Sequence, residues 1–186
     1  MAETRNAKAE RRALRNARLI VVLCGPSHSG KSTFARRFAN GFTIINSDDV
    51  RKNLTGNPEL SEHEGSVWAE FSARKRIALR AGRNVILDAC HLSSKARRHA
   101  LEKVDDRYRK LCIVFDCPFH VIKKRCLRER RMSLAVARDI WNRFKKPTLE
   151  DLLQENFGEV YFISTRGWLY YDTERFLRHM RFARKR

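Results

Sequence analysis

Residues 18–33 read RLIVVLCGPSHSGKST, an apolar run followed by a bend rich in glycine and hydroxyl residues. A short, continuous run with valine and isoleucine predicts a strand buried on both faces, as in parallel sheets. The bend fits the pattern GxxxxGK(S/T) through Gly25, Gly30, Lys31 and Ser32. Because the pattern stands between a predicted strand and a predicted helix, it predicts a phosphate-binding loop in an α/β fold.

The chemistry of this loop indicates a nucleoside triphosphate. Its glycines let backbone N–H groups turn inward, and the start of the following helix adds partial positive charge. Lys31 is expected to reach the β- and γ-phosphates and Ser32 to ligate Mg²⁺, so ATP or another nucleoside triphosphate with Mg²⁺ is predicted. His28, in the same loop, could touch the substrate or the nucleotide, but it is expected to face solvent. The predicted nucleotide-binding residues are Gly25, Ser29, Gly30, Lys31, Ser32 and Thr33.

The rest of the chain alternates apolar runs with helical patterns. Further strands are predicted at residues 42–46, 84–88, 111–116 and 160–164. Helices are predicted at residues 31–40, 61–82, 93–105, 118–130 and 133–144. The second of these helices is expected to open with a capping box formed by Ser61 and Glu64. This alternation predicts an α/β fold with a five-stranded, mostly parallel sheet, helices on both faces, and ligands beyond the carboxyl ends of the strands.

Composition favours one domain with an anionic partner. The 186 residues show no repeat or linker, so a single domain over residues 1–186 is predicted. The 40 Lys and Arg against 21 Asp and Glu give a formal charge of +19, which favours nucleic acid or another anionic partner. Residues 1–17 form a predicted basic extension and residues 172–186 a predicted basic helix. Either end could extend a nucleic-acid track or be a solvated helix face.

Cysteine usage and hydropathy indicate an intracellular protein that does not span a membrane. The five cysteines are odd in number and have no CxxC spacing, which argues against a disulfide framework or a familiar zinc site. No apolar stretch approaches the roughly 18 residues that a membrane-spanning helix needs. The sequence leaves the oligomeric state open.

Acidic residues follow two of the predicted strands. Asp48 and Arg51 come after the second strand, three residues apart at the start of a helix. They suit a general base and a cation that positions an acceptor, although Asp48 and Asp49 could instead cap that helix. Asp88 ends the third strand, where a carboxylate can hold Mg²⁺ together with Ser32, although it could instead belong to a simple turn.

A cluster of basic residues follows the fourth strand. It is typical of a helical lid that closes over phosphates, and one or two of its arginines are expected to contact the transferring group. The pattern alone does not say which. The cluster consists of Lys123, Lys124, Arg125, Arg128, Arg130 and Arg131.

Four segments together resemble P-loop kinases of the 5′-polynucleotide kinase type, within a wider group that includes zeta toxins and small-molecule kinases. They are GPSHSGKSTFARRF (25–38), IINSDDVRK (44–52), NVILDACHLSSKARRHA (84–100) and VFDCPFHVIKKRCLRERR (114–131). The resemblance covers about residues 18–165 and implies a P-loop kinase fold with a basic helical lid. It implies that Asp48 is the general base and that Arg51 contacts the acceptor strand. It also implies that Arg125, with Arg128 or Arg130, contacts the donor phosphates.

Three functions are consistent with these residues. The favoured one is Mg²⁺-assisted, in-line transfer of the γ-phosphate of ATP to the 5′-hydroxyl of a DNA or RNA end. The high positive charge favours this polymeric acceptor, because a polyanion releases many counterions when many cations bind it. The alternatives are a kinase for a small alcohol or nucleotide sugar, and a nucleic-acid-binding ATPase.

Overall fold

The computed structural model describes residues 18–56 and 63–164. Two predicted segments, the basic extension at residues 1–17 and the basic helix at residues 172–186, lie outside the described residues. Ser61, the predicted first member of the capping box, also lies outside them.

Five strands form one sheet in which every neighbouring pair is parallel. They are β1 (Arg18–Cys24), β2 (Thr43–Asn46), β3 (Val85–Asp88), β4 (Tyr108–Asp116) and β5 (Glu159–Ser164). Their order across the sheet is β2-β3-β1-β4-β5. The predicted α/β class is therefore confirmed, with the sheet entirely rather than mostly parallel.

Seven helices lie in the described part of the chain. They are α1 (Lys31–Arg36), α2 (Ser47–Thr55), α3 (Glu64–Arg80), α4 (Ser94–Leu101), α5 (Phe119–Glu129), α6 (Leu134–Arg143) and α7 (Leu149–Gln154). The helix α7 has no counterpart among the predicted helices. It is six residues long, shorter than the window of about 11 residues over which helical periodicity is read, and Leu152 is its one buried residue.

The predicted capping box at Ser61 and Glu64 is wrong. The helix α3 begins at Glu64 itself, with His63 as the N-cap residue and no side-chain cap. The carboxylate of Glu64 is used for other contacts: it accepts hydrogen bonds from Arg51 Nε at 2.8 Å and from Trp68 Nε1 at 2.9 Å. A residue that matched a local capping pattern therefore serves a tertiary contact.

Helices cover both faces of the sheet, which explains why β1 is continuously apolar. Its residues Leu19, Val21 and Leu23 pack with α1 on one face. The alternate residues Ile20 and Val22, with Cys24, pack against residues of α3, α4 and α7 on the other face. Leu19–Cys24 are each at most 3% exposed, so both faces of the strand are in the core.

The parallel arrangement brings the carboxyl ends of the strands to one edge. The strand β1 leads directly into the phosphate loop, and Asn46 at the end of β2 is the register partner of Asp88 at the end of β3. Asp116 ends β4 on the other side of β1. This carboxyl edge therefore brings polar residues from the ends of three strands next to the phosphate loop.

Within residues 18–56 and 63–164, no helix combines the length and the apolar character needed to cross a membrane.

Candidate active site

The phosphate loop takes a backbone shape that requires glycine at two positions. Gly25 has φ +145°, and a Cβ atom there would lie 2.8 Å from the carbonyl oxygen of Phe115. Gly30 is the N-cap residue of α1 with φ +106°. Both torsion angles are strained for residues with a side chain, so the glycines of the sequence pattern are explained by the turn they form.

Two polar side chains inside the loop fit a bound phosphate tail. Lys31 is 6% exposed, and its Nζ donates hydrogen bonds to the carbonyl oxygens of Gly25 at 2.9 Å and Pro26 at 2.8 Å. The Ser29 hydroxyl is buried and has no hydrogen-bond partner among the described residues. A buried hydroxyl without a partner is costly, and a phosphate oxygen would accept its hydrogen bond. Thr33, also in the predicted nucleotide-binding set, is exposed on α1.

Asn46 links the two predicted magnesium ligands. Its Nδ2 donates to Asp88 Oδ2 at 2.6 Å and lies 3.5 Å from Ser32 Oγ. A hydroxyl and a carboxylate are the hard oxygen donors that Mg²⁺ prefers, so this pair fits the ion. Burial raises the pKa of Asp88, although Lys31 and the hydrogen bonds from Ser32 and Asn46 oppose the rise. A bound cation would favour the charged carboxylate.

Asn46 was missed by the sequence analysis, although a signal for it exists. An asparagine directly before a helix is a good N-cap, and Asn46 Oδ1 accepts hydrogen bonds from the backbone N–H groups of Asp48 and Asp49. The same side chain therefore caps α2 with its oxygen and reaches Asp88 with its nitrogen. Because Asn46 is the cap, the alternative in which Asp48 and Asp49 cap this helix is wrong.

Asp48 and Arg51 lie on one face of α2 and contact each other. Arg51 Nη1 donates to Asp48 Oδ1 at 3.0 Å, and its Nε donates to Glu64 of α3. The Arg51 side chain is 13% exposed, whereas that of Asp48 is 64% exposed. Burial disfavours the charge on Arg51, yet the contacts with Glu64 and Asp48 outweigh burial and raise the pKa of the guanidinium. Arg51 is thus held in place while the Asp48 carboxylate stays accessible to solvent.

The structure brings one predicted lid arginine to the phosphate loop. Arg125 Nη1 donates a hydrogen bond to the backbone oxygen of His28 at 2.9 Å. Arg128 is 75% exposed, with Nη2 3.6 Å from Glu129, and Arg130 is an exposed residue just beyond α5. The roles implied for the three arginines stay predictions. Their positions differ, because Arg125 contacts the phosphate loop whereas Arg128 and Arg130 are exposed.

The prediction that His28 faces solvent is wrong. Its side chain is 5% exposed, and Nδ1 lies 3.0 Å from Glu129 Oε2 at the end of α5. The sequence could not show this, because the contact joins residues far apart in the chain. The lid helix is therefore attached to the phosphate loop at two points, through the side chain and through the backbone oxygen of His28.

The segment after β3 is tied to the start of the phosphate loop. The backbone N–H of Gly25 donates to the carbonyl oxygen of Cys90 at 2.9 Å, and His91 Nδ1 donates to the carbonyl oxygen of Leu23 at 2.8 Å. Burial is the main cause that lowers the pKa of His91 to about 4, so its ring is neutral at pH 7. His91 is therefore a structural residue that anchors this segment.

Most of the chain matches a known protein-family model. Residues 20–147 match a protein-family model described as an AAA domain. A search of curated proteins gave no significant match.

Solved structures with similar folds include kinases for different acceptors. A chain of the Pnkp1/Rnl/Hen1 complex is 29% identical over 60% of this chain, with a TM-score of 0.54. A sugar kinase from Janibacter sp. HTCC2649 is 18% identical over 90% of this chain and 96% of its own, with a TM-score of 0.61. A fungal RNA kinase is 14% identical over 89% of this chain and 82% of its own, with a TM-score of 0.51. The present chain spans only 40% of that Pnkp1/Rnl/Hen1 chain.

Proposed function

Because the chain belongs to this AAA-domain family of P-loop kinases, we propose that it transfers the γ-phosphate of ATP or another nucleoside triphosphate to the 5′-hydroxyl of a polynucleotide end. The observation that carries the proposal is the contact between Asp48 and Arg51 on the first turns of α2. These residues follow Asn46, which links Ser32 and Asp88. An acid and a cation thus stand beside the residues that fit Mg²⁺ and phosphate.

In the proposed reaction, Asp48 acts as the general base. Its carboxylate accepts the proton of the 5′-hydroxyl as that oxygen forms a bond to the γ-phosphorus. The bond between the γ-phosphorus and the bridging oxygen breaks, and the electron pair leaves with the nucleoside diphosphate. The guanidinium of Arg51, fixed by Glu64, orients Asp48 and presents positive charge to the acceptor.

The phosphate loop and the lid stabilise the charge that develops during transfer. Lys31 exchanges its two backbone carbonyl partners for phosphate oxygens, and the Ser29 hydroxyl gains an acceptor. Among the lid arginines, we assign this stabilising role first to Arg125, because it contacts the phosphate loop. Ser32 and Asp88 would hold Mg²⁺, which when bound neutralises charge on the β- and γ-phosphate oxygens.

Two observations support a polynucleotide rather than a small acceptor. The formal charge of +19 suits a polyanion, since each phosphate contact releases counterions. The 29% identity with a chain of the Pnkp1/Rnl/Hen1 complex, described in a second structure as an RNA repair complex, points in the same direction. The sugar kinase and shikimate kinase among the structural neighbours share the fold, which hosts many acceptors.

The proposal is tested by transfer of labelled γ-phosphate. The chain is incubated with Mg²⁺, labelled ATP and single-stranded oligonucleotides that end in a 5′-hydroxyl, and in parallel with a panel of sugars and other small alcohols. We expect label on the oligonucleotides and none on oligonucleotides that already carry a 5′-phosphate. Transfer only to a small alcohol, or release of labelled phosphate only to water, would contradict the proposal.

A further inference from the structure

An open cavity of about 340 Å³ lies between α4 and the segment that joins α6 to α7. Five basic side chains contribute to its lining, whereas its acidic lining residues are Asp151 and Glu155. The basic residues are Arg97, Arg98, Arg143, Lys145 and Lys146. A concave surface concentrates the field of such charges and attracts anions more strongly than a flat one.

Both carboxylates of the cavity are already engaged by the protein. Glu155 accepts two hydrogen bonds of 2.7 Å from Arg97, and both side chains are at most 5% exposed. Asp151 accepts a hydrogen bond from the backbone N–H of Thr148, in the capping box of α7. The ion pair of Arg97 and Glu155 also joins α4 to the end of α7, so the two walls of the cavity are held together.

The remaining four cations are accessible. Among the described residues, Arg98 and Lys145 have no ion pair, and both are exposed. Arg143 pairs with Asp139 at 2.9 Å and Lys146 with Asp116 at 2.9 Å, each across an exposed contact. Exposed ion pairs of this kind contribute little to stability. A phosphate can therefore replace the carboxylate as the partner of the basic side chain.

The cavity is connected to the phosphate loop through the segment that follows β3. Arg97 Nη1 donates to the carbonyl oxygens of His91 at 3.4 Å and Leu92 at 3.3 Å, within the segment tied to Gly25. On the other side, Lys146 contacts Asp116, the last residue of β4. The strands β3 and β4 flank β1, which carries the loop. The walls of the cavity therefore start from both neighbours of the nucleotide-binding strand.

We propose that this cavity binds phosphodiester groups of the acceptor strand, beyond the nucleotide that carries the reactive 5′-hydroxyl. The inference rests on the proposed function and deepens it, because it explains how the chain would favour a polymer over a small alcohol. Several separated cations match the repeated charges of a single strand. A neutral small acceptor gains little from them.

The test compares two double substitutions with the same change in charge. R98Q/K145Q removes the two unpaired cations of the cavity. R80Q/R83Q removes two exposed cations near the amino ends of the strands, one at the last residue of α3 and one just before β3. Both variants keep all the other basic residues of the chain, so background attraction to nucleic acid is the same. Thermal unfolding of each variant checks that the fold is retained.

Binding is measured by fluorescence anisotropy of labelled ten-nucleotide single strands with a free 5′-hydroxyl, as RNA and as DNA, between 50 and 200 mM salt. Transfer to the same strands gives kcat and KM. For R98Q/K145Q we expect the slope of log affinity against log salt to fall by about 1.4, or 0.7 for each lost contact. Over this fourfold change in salt, the variant then loses about sevenfold less affinity than the wild type. We expect kcat to stay unchanged, and R80Q/R83Q to behave as the wild type.

The two proposals fail in different ways. If the wild type phosphorylates the strands and R98Q/K145Q has the affinity and salt dependence of R80Q/R83Q, the cavity assignment is overturned and the proposed function stands. If the wild type phosphorylates no oligonucleotide, the proposed function is overturned, and the cavity assignment with it. Unequal effects on the RNA and DNA strands would identify which polymer the cavity prefers.

Discussion

The start of α2 from Asp48 to Arg51, named here the acceptor edge after its proposed role, and the lid around α5 both contribute arginines to the candidate active site, but the protein holds them differently. Arg51 at the acceptor edge is 13% exposed and contacts two carboxylates on two helices. Arg128 and Arg130 at the lid are exposed, and of the three lid arginines implied by resemblance, Arg125 is the one in contact with the phosphate loop. The acceptor edge is thus organised by the protein's own contacts, whereas most of the lid's charge faces solvent.

This difference indicates how the arginine side chains in each region are positioned. A side chain fixed by neighbouring groups loses little further freedom when a substrate binds, and it can be aligned for chemistry in advance. Exposed lid arginines must become ordered on binding. We therefore expect substitutions at the acceptor edge to have larger and more specific effects than those at the lid.

The strongest test of the acceptor edge is Asp48→Asn. The amide cannot accept the proton of the hydroxyl, so we expect the transfer rate to fall by about 10² or more. Nucleotide binding should be retained, because the phosphate loop is unchanged. Asp49→Asn is the matched control, since Asp49 is the adjacent exposed carboxylate of α2. Single-turnover kinetics and nucleotide titration measure both quantities, and a full rate in Asp48→Asn would remove the assignment of the base.

The second test concerns Asp88, the carboxylate at the end of β3. Asp88→Asn keeps an oxygen for the hydrogen bond from Asn46 but loses the charge that suits Mg²⁺. We expect the Mg²⁺ concentration needed for half-maximal rate to rise by about 10- to 100-fold. The control is the binding of Mg²⁺-free nucleotide, which should change much less.

The same variant has an expected dependence on pH. Because burial raises the pKa of Asp88, the folded wild type binds its proton more tightly than the unfolded chain does. Wild-type stability therefore falls as pH rises from the ordinary aspartate pKa through the raised one. Without Mg²⁺, Asp88→Asn should have a higher Tm than the wild type above this window and a similar Tm below it. Thermal unfolding of both proteins across pH measures this difference. Equal Tm values at neutral pH would contradict the raised pKa of Asp88.

A third test separates the lid arginines. Arg125→Lys keeps the charge but loses the fork of the guanidinium that reaches His28, and we expect kcat to fall by about tenfold. Arg128→Lys and Arg130→Lys are matched controls in exposed positions, and their rates should change by less than about fivefold. Equal losses in all three variants would show that all three arginines contribute equally to the rate. That result would contradict the distinct role of Arg125 inferred from its contact with His28.

The smallest expected effect is at the link between the loop and the lid. His28→Asn removes the ring that contacts Glu129, and asparagine tolerates the φ of +59° at this position. Losing one such hydrogen bond should raise KM for the nucleotide by about 2- to 10-fold. Glu129→Gln provides the second arm of a double-mutant cycle. Strictly additive effects of the two substitutions would mean that the contact does not couple the lid to the loop.

The fold and the phosphate loop were the parts most readily predicted from sequence. Continuous apolar runs marked all five strands, and β1 coincides with the run RLIVVLC at residues 18–24, which is buried on both faces and followed by a turn. The glycine positions predicted the phosphate loop, because two of them need backbone torsion angles that other residues rarely adopt.

Contacts between distant residues could not be predicted in this way. The link from His28 to Glu129 spans about 100 residues of sequence, and Glu64 matched a local capping pattern while it serves Arg51. Asn46 was predictable as a helix cap, but its contact with Asp88 depends on the parallel register of β2 and β3. Local patterns therefore gave the scaffold, and the side-chain network at the carboxyl edge required the structure.

The hydrogen bonds of Lys31 to its own loop have a consequence for the catalytic cycle. An ordered lysine side chain gives up roughly 1.5 to 2 kcal/mol of rotational entropy, and here the two carbonyl oxygens impose that order during folding. In the proposed reaction, nucleotide binding would then replace the two carbonyl oxygens with phosphate oxygens, without first having to restrain a free side chain. When product departs, the ammonium group can return to the same carbonyls, so the loop keeps its shape from one turnover to the next.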